Sequence, residues 1–359
     1  MVATPAAGIA TIRIPPMAMP QWDDLIEEIK RTKLSLGGKF SGERFSLWYN
    51  NDMEKLEYID RASGKRVAES IMGDRALRFA YETLLGRTLW PVLFGSRAVS
   101  AFMGRRYDSP RSRKDIAKLV AIPGCRAEEA EKPVEEYACF NEFFTRRLKP
   151  GARPAGDGIV SPADGRLRVY LDADADTPFP LKGAKRSLRT VFDGDAPAGK
   201  YDIAVFRLAP VDYHRFHFPC DCTTVGDVRV VPGKYHSVNP IALMRYPDVY
   251  ADNERQIVKC RADFGDFYLV DVGEFGVGTI VQTYSGDRHA KGDEKGFFKF
   301  GGSTVIFVAK AGAVRFDDDI VKNSSDGLET RVLCCEKIAS PAPKTLRAAL
   351  EGATLPGAS

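Results

Sequence analysis

The sequence predicts an α+β chain in which a β-rich domain over residues 151–359 follows a helical, basic portion over residues 51–150. Three observations predict it. From Gly158 onward, runs such as GRLRVYLDA, YDIAVFRLAP, RQIVKCRADFGDFYLVDVG and STVIFVAKAGAVRFDD alternate Val, Phe and Tyr with polar residues, the pattern of half-buried strands. Arg75–Lys118 instead carries long apolar runs broken by Gly86, Pro91, Gly95 and Gly104, which predicts several short helices rather than one. Between the two, Lys149-Pro150-Gly151 is a turn signal.

Taken in order, residues 1–50 form an extension without a functional assignment. Pro15-Pro16 and Pro20 oppose early regular structure, while Gln21–Thr32 fits a short amphipathic helix. Lys55–Ala68 reads as a hairpin around Ser63-Gly64. Arg75–Lys118 holds ten basic residues against three acidic ones, more positive charge than the whole chain's net +4. Aromatic and leucine faces flanked by arginines describe interfacial helices on anionic lipid, where each basic residue contributes about 1 kcal/mol. They equally describe a packed helical subdomain with solvated arginines. Arg146, Arg147 and Arg153 could hold a phosphate or carboxylate, although structural surface charge is the commoner role for each. Lys344–Ser359 is a short helical piece and a tail.

At 359 residues, with 44% hydrophobic and 28% charged content, the chain can bury a full core. Its small net charge gives no argument for nucleic acid. Met1–Pro16 lacks the basic start and apolar centre of a signal peptide, and no run of ~18 apolar residues predicts a spanning helix. If a membrane is involved, the chain lies on it. Seven cysteines cannot all pair within one chain, so free thiols in a reducing compartment are the simplest reading. Cys220-Asp221-Cys222 and Cys334-Cys335 are too closely spaced for the usual CxxC metal pairs, and four histidines give a metal site little support.

The chemistry concentrates in three stretches. Phe297–Val308, FFKFGGSTVIFV, interrupts a strand pattern with Gly301-Gly302-Ser303; Val160–Gly165 is VSPADG; Ala209–Pro219 is APVDYHRFHFP. A serine hydroxyl needs a base to act as a nucleophile, and a carboxylate can fix that base's tautomer. His214 and His217, at i and i+3, would point to opposite faces of a regular strand, so a shared site requires a turn or bulge. His236, in GKYHSVNP, fits substrate binding or a structural role equally, and His289 in a polar turn reads as surface.

These stretches, with FNEFFTRRLKPGARP at Phe140–Pro154, NPIAL at Asn239–Leu243 and KGDEKGFFKFGGSTVI at Lys291–Ile306, resemble the phosphatidylserine decarboxylase family of pyruvoyl-dependent proenzymes. The resemblance spans roughly residues 55–340 with its motifs in order. It implies a β-rich catalytic domain behind a membrane-facing N-terminal portion. It also implies a triad of Asp164, His217 and Ser303 that cleaves the chain between Gly302 and Ser303 and converts Ser303 into a covalent pyruvoyl cofactor. Glycines at 301 and 302 suit the close approach that such a cleavage needs. His214 is the implied proton donor after loss of carbon dioxide, and no metal is needed.

The implied partners are phosphatidylserine and an anionic membrane surface, the two cleavage fragments as a heterodimer, and a second copy of the chain. The implied location is peripheral, on the cytoplasmic face. Arg207 stands where some members carry a tyrosine, which puts any tyrosine role in doubt; the arginine is instead a candidate contact for a substrate phosphate or carboxylate. Other readings stay open. A soluble amino acid such as tryptophan could be the substrate. Asp164, His217 and Ser303 could serve a serine hydrolase, although GxSxG is absent, or the chain could be a non-catalytic lipid-binding homologue.

Overall fold

The computed structural model describes residues 57–69, 104–177, 179–181, 184–233, 253–273, 280–300 and 303–343. The expectations for residues 1–50, Arg75–Met103, His236, the glycines at 301 and 302, and the C-terminal tail from Lys344 lie outside those residues.

The predicted hairpin is present as β1 (Glu57–Asp60) and β2 (Lys65–Ala68), its turn closed by Gly64 at φ 65°. Short helical pieces follow: a 3-10 turn at Pro110–Asp115, α1 (Ile116–Val120) and α2 (Phe140–Phe144). Strands then dominate. The first group is β3 (Ile159–Val160), β4 (Gly165–Asp174), β5 (Phe179–Leu181) and β6 (Ala184–Arg186). After α3 (Leu188–Val191) come β7 (Lys200–Leu208), β8 (Arg215–His217), β9 (Cys222–Thr224) and β10 (Arg229–Val231). Then come β11 (Arg255–Ala262), β12 (Gly265–Gly273), β13 (Ile280–Gln282), β14 (Arg288–His289) and β15 (Glu294–Phe298). The last are β16 (Ser303–Lys310), β17 (Val314–Phe316), α4 (Asp318–Ser325), β18 (Glu329–Val332) and β19 (Lys337–Pro341). Among the described residues the chain is therefore β-rich with few helices, as predicted.

The large sheet runs β14-β9-β11-β12-β16-β7-β4-β18-β1-β2, with β10 also paired to β11. Smaller sheets are β13-β15-β8, β17-β19-β3 and β5-β6. β16 sits inside the large sheet, antiparallel to β12 on one side and to β7 on the other. Its alternate residues enter different cores. Val305, Phe307 and Ala309 pack with Phe206, Phe267 and Leu269, whereas Ile306 and Val308 pack with Ile203, Val205 and Val270. The first of these cores also contains Phe216 of β8, Phe298 of β15 and Ile280 of β13, so the small sheet covers that face.

Half-buried strands were predicted from alternation; β7 and β16 are instead buried along nearly their whole length. Layers on both faces leave no side of these strands for polar residues, which is why YDIAVFRL and STVIFVA read as almost continuous apolar runs.

Gly296 of β15 shows how closely the small sheet is packed. A Cβ there would lie 2.2 Å from the Val281 carbonyl oxygen and 2.7 Å from the Phe216 ring. Backbone cannot yield as a flexible side chain would. Gly296→Ala is expected to destabilise the protein by about 1–3 kcal/mol or more, read as a drop in the midpoint of thermal unfolding; an unchanged midpoint would mean that the strands separate at no cost.

Candidate active site

Ser303 opens β16 opposite Gly273 of β12 and Leu208 of β7. The two-residue period puts it on the face of Val305 and Phe307, the face that the small sheet covers. It is fully buried, and its Oγ has no hydrogen-bond partner among the described residues. A buried hydroxyl without a partner costs about 1–3 kcal/mol, so this side chain is held here at the expense of stability.

The small sheet carries the histidines. The bulge between Glu294 and Gly296 lies on β15, opposite the histidines, and His214 extends the β8–β15 ladder by accepting from the Phe298 N–H at 2.9 Å, so the turn or bulge expected between His214 and His217 is not seen; the chain turns earlier, at Ala209–Asp212. In that turn the Asp212 carboxylate accepts from the Ala209 N–H at 2.7 Å and is paired with the buried Arg166 guanidinium. His214 is fully buried against the Phe144 ring, 3.8 Å between centroids. Its Nδ1–H donates to the Asp212 carbonyl at 2.9 Å. A carbonyl only accepts, so the proton sits on Nδ1 and the lone pair on Nε2; Nε2 has no partner among the described residues. Burial pulls the His214 pKa down to about 3.

His217, half-buried, has the same tautomer. Its Nδ1–H donates to the Gly292 carbonyl at 2.9 Å, and the Tyr213 hydroxyl donates to Nε2 at 3.1 Å. Burial lowers its pKa too. Both imidazoles are thus held neutral, as proton acceptors require.

Asp164 lies in the turn between β3 and β4. The expected hydrogen bond from His217 to Asp164 is not present. Asp164 instead takes a bidentate pair from Arg153, at 2.9 and 2.7 Å, and accepts from the Cys334 N–H at 2.7 Å. Burial opposes its ionisation, but these bonds and the Arg153 charge outweigh burial and leave its pKa below the usual value. Its negative charge raises the pKa of both imidazoles against burial. The Gly292 carbonyl, not the carboxylate, fixes the His217 tautomer. Arg153, one of three arginines left between anchoring and surface roles, is the counter-ion of Asp164.

Backbone bonds join the Asp164 turn to its neighbours. The His217 N–H donates to the Pro162 carbonyl at 2.7 Å, and the Cys335 N–H donates to the Ser161 carbonyl at 2.9 Å. None of Ser303, His214, His217 and Asp164 hydrogen-bonds directly to another.

Sequence reasoning missed the part played by α2. Asn141 Oδ1 accepts from the Phe300 N–H at 3.0 Å, and Phe144 packs on both Phe300 and His214. One helical turn therefore holds His214 and the chain that leads into Ser303. The signal lay within FNEFFTRRLKPGARP, noticed as a motif but given no contact.

Two expectations need correction. Arg207 was a candidate substrate contact. It pairs with Thr304 rather than Ser303, so it occupies the opposite face of the sheet, and its guanidinium is buried and bonded to Glu69 and Glu329 at 2.5–3.1 Å. With its donors committed to two carboxylates, Arg207 is a structural ion-pair centre. His289 was read as surface; it is buried and stacked on Phe218, with centroids 4.0 Å apart and planes at 3°.

The chain is similar to known proteins along most of its length. Residues 140–340 match the family model described as phosphatidylserine decarboxylase. The chain is 38% identical over 291 residues to a phosphatidylserine decarboxylase proenzyme of Ruminiclostridium cellulolyticum, covering 79% of this chain and 97% of that one. It is 37% identical over 294 residues to the proenzyme of Fusobacterium nucleatum, covering 80% and 98%, and 40% identical over 290 residues to that of Chlamydia pneumoniae, covering 78% and 96%. The chain belongs to the phosphatidylserine decarboxylase family.

Neutral burial of His214 makes stability depend on pH. The unfolded histidine titrates near 6.5 and the folded one near 3, so this contribution is complete above about pH 6.5 and is lost as pH falls toward 3. At ~1.4 kcal/mol per pH unit, about 2 kcal/mol is lost by about pH 5. Denaturant unfolding at about pH 7.5 and pH 5 should show a smaller drop for Ser303→Ala/His214→Gln than for Ser303→Ala. Equal drops would show that another group carries the acid sensitivity.

Proposed function

We propose that the chain is a self-cleaving, pyruvoyl-dependent decarboxylase that converts phosphatidylserine to phosphatidylethanolamine and carbon dioxide. The observation that carries this reading is Ser303: a buried serine with an unpartnered Oγ at the first position of an internal strand, on the face covered by the strands that hold two neutral histidines. The family membership and the proenzyme relatives supply the substrate class.

In this reading Ser303 Oγ attacks the Gly302 carbonyl as His217 Nε2 accepts the hydroxyl proton, and the peptide bond becomes an ester. Loss of the Ser303 Cα proton expels the Gly302 carboxylate. Water then releases ammonia from the new terminus, which ends as the pyruvoyl group. The residues fit such a group: the Ser303 position is enclosed and its Oγ makes no hydrogen bond that the conversion would forfeit. Once formed, the group supplies an electron sink for the bond to the departing carboxylate. His214, whose Nε2 has no partner among the described residues, takes up a proton from water at that atom and passes it to the carbon that has lost carbon dioxide. Asp164, kept ionised by Arg153, biases both imidazoles electrostatically.

Support for membrane contact comes from the described end of the basic segment. Arg105, Arg111 and Lys114 are exposed while Ile116 and Leu119 anchor the same stretch in the core. No helix among the described residues is long and apolar enough to cross a membrane. The reading is of a peripheral protein whose Arg75–Lys118 segment lies on anionic lipid at the cytoplasmic face.

Intact mass under denaturing conditions tests the chemistry. Two fragments are expected, with 303–359 lighter by one ammonia than a serine-started peptide, and Ser303→Ala should remain whole. A single uncut wild-type chain that is folded overturns the reading. His217→Ala should slow cleavage by about 10²–10⁴-fold, whereas His214→Gln should cut normally and lose decarboxylation.

Vesicles test the substrate. The mature protein is expected to bind phosphatidylserine vesicles in a salt-sensitive manner and to decarboxylate that lipid, but not free serine or tryptophan. Turnover of a free amino acid without vesicle binding would assign it a soluble substrate.

A further inference from the structure

Next to His217 lies a pair of thiols that the proposed chemistry leaves unused. A ring nitrogen of His217 and the Sγ atoms of Cys334 and Cys335 all lie within 4.8 Å of one another. The two sulfurs are 3.8 Å apart. Two thiolates bound to one tetrahedral Zn²⁺ at about 2.3 Å each would be separated by ~3.8 Å, so the pair already stands at a chelating distance.

The surroundings favour a soft cation. The Gly292 carbonyl holds the proton on His217 Nδ1 and leaves the lone pair on Nε2, the arrangement in which a second partner orients a metal-binding imidazole. The backbone under the thiols is fixed at both residues. The Cys334 N–H is bonded to Asp164 and the Cys335 N–H to Ser161, and Cys335 adopts φ 65°. Asp164, the nearby carboxylate, is already committed to Arg153, so the donor set is one nitrogen and two sulfurs. Such a set selects the zinc and cadmium class over magnesium or calcium. The adjacent cysteines gave no such signal in sequence because the third donor arrives from β8.

We propose that His217, Cys334 and Cys335 form a site for a thiophilic divalent cation of the zinc class, and that its occupation arrests self-cleavage by taking the Nε2 lone pair. Binding releases two thiol protons to solvent and replaces the Tyr213 hydrogen bond; no electron is transferred. The site itself stands on the geometry alone, whereas the arrest rests on His217 being the base proposed above.

Two readouts keep these apart. The full-length Ser303→Ala chain, reduced and metal-free, is titrated with Cd²⁺ while thiolate-to-metal charge-transfer absorption is followed. One Cd²⁺ per chain is expected in this background. The signal should be lost in Cys334→Ala/Cys335→Gly, in which glycine suits the positive φ, and retained in Cys220→Ser. Cys335→Gly alone should weaken binding at least tenfold, which serves if the double variant does not fold. No signal in the parent chain, or the same signal in both Cys335 variants, overturns the site.

Cell-free synthesis of the otherwise unmodified chain, with stoichiometric Zn²⁺ or with chelator, reads the arrest. The wild-type chain should be cut only with chelator, and the double variant under both conditions. Equal cutting of the wild-type chain under both conditions overturns the arrest. Failure to cut even with chelator refutes the self-cleavage reading and leaves the Cd²⁺ result to decide the site.

Discussion

β16 pairs with β12 and β7 along its whole length and sends alternate side chains into two separate cores. Each buried Val, Ile or Phe on it contributes roughly 1.5–3 kcal/mol, and a slip of one residue would exchange the two sets. The register is therefore strongly specified, and with it the position of Ser303. The hydroxyl at the first residue of this strand is placed by the same packing that holds the fold together. The small sheet packed on that face positions the histidines, and α2 ties one of them to the chain entering β16. Geometry at this site is a product of core packing, with few polar contacts to the serine itself.

Electrostatics follow a complementary division. Carboxylates that must stay charged in the interior are paired, Asp164 with Arg153 and Asp212 with Arg166, while Glu69 and Glu329 share Arg207. The histidines are left neutral and receive only backbone or hydroxyl partners. Removing one member of such a buried pair costs about 3–5 kcal/mol because the other remains charged and unpaired. The Arg207 cluster also fastens Glu69, just beyond β2, to β7 and β18, joining the N-terminal hairpin to the sheet by charge as well as by the pairing of β1 with β18.

The β-rich class and the turn-bounded strands were legible because strand periodicity and Gly or Pro punctuation are local. The stretches around Asp164, His214, His217 and Ser303 were legible for a related reason: chemically unusual residues cluster there within a few positions. What escaped was tertiary. Arg207 looked available because nothing local reveals that Glu69 and Glu329, far along the chain, converge on it. His289 looked exposed because its neighbours are polar, yet β14 turns its ring onto Phe218. The partner of Asp164 could not be chosen from spacing, since Arg153 reaches it from a loop eleven residues upstream while His217 comes from β8. Double-sided burial erased the alternation that would have given the faces of β7 and β16.

The internal position of β16 bears on how the protein can come apart. A cut before Ser303 severs the chain but leaves β16 zipped to two strands from the upstream portion, so the pieces stay together without a covalent link. Once unfolded, however, the upstream piece has a gap in the middle of its sheet that only the other piece can fill. Loss of structure then becomes a dissociation, and recovery depends on concentration. A chain matured in this way folds as one molecule and refolds as two, so its lifetime is governed by the barrier to opening more than by any equilibrium it can return to.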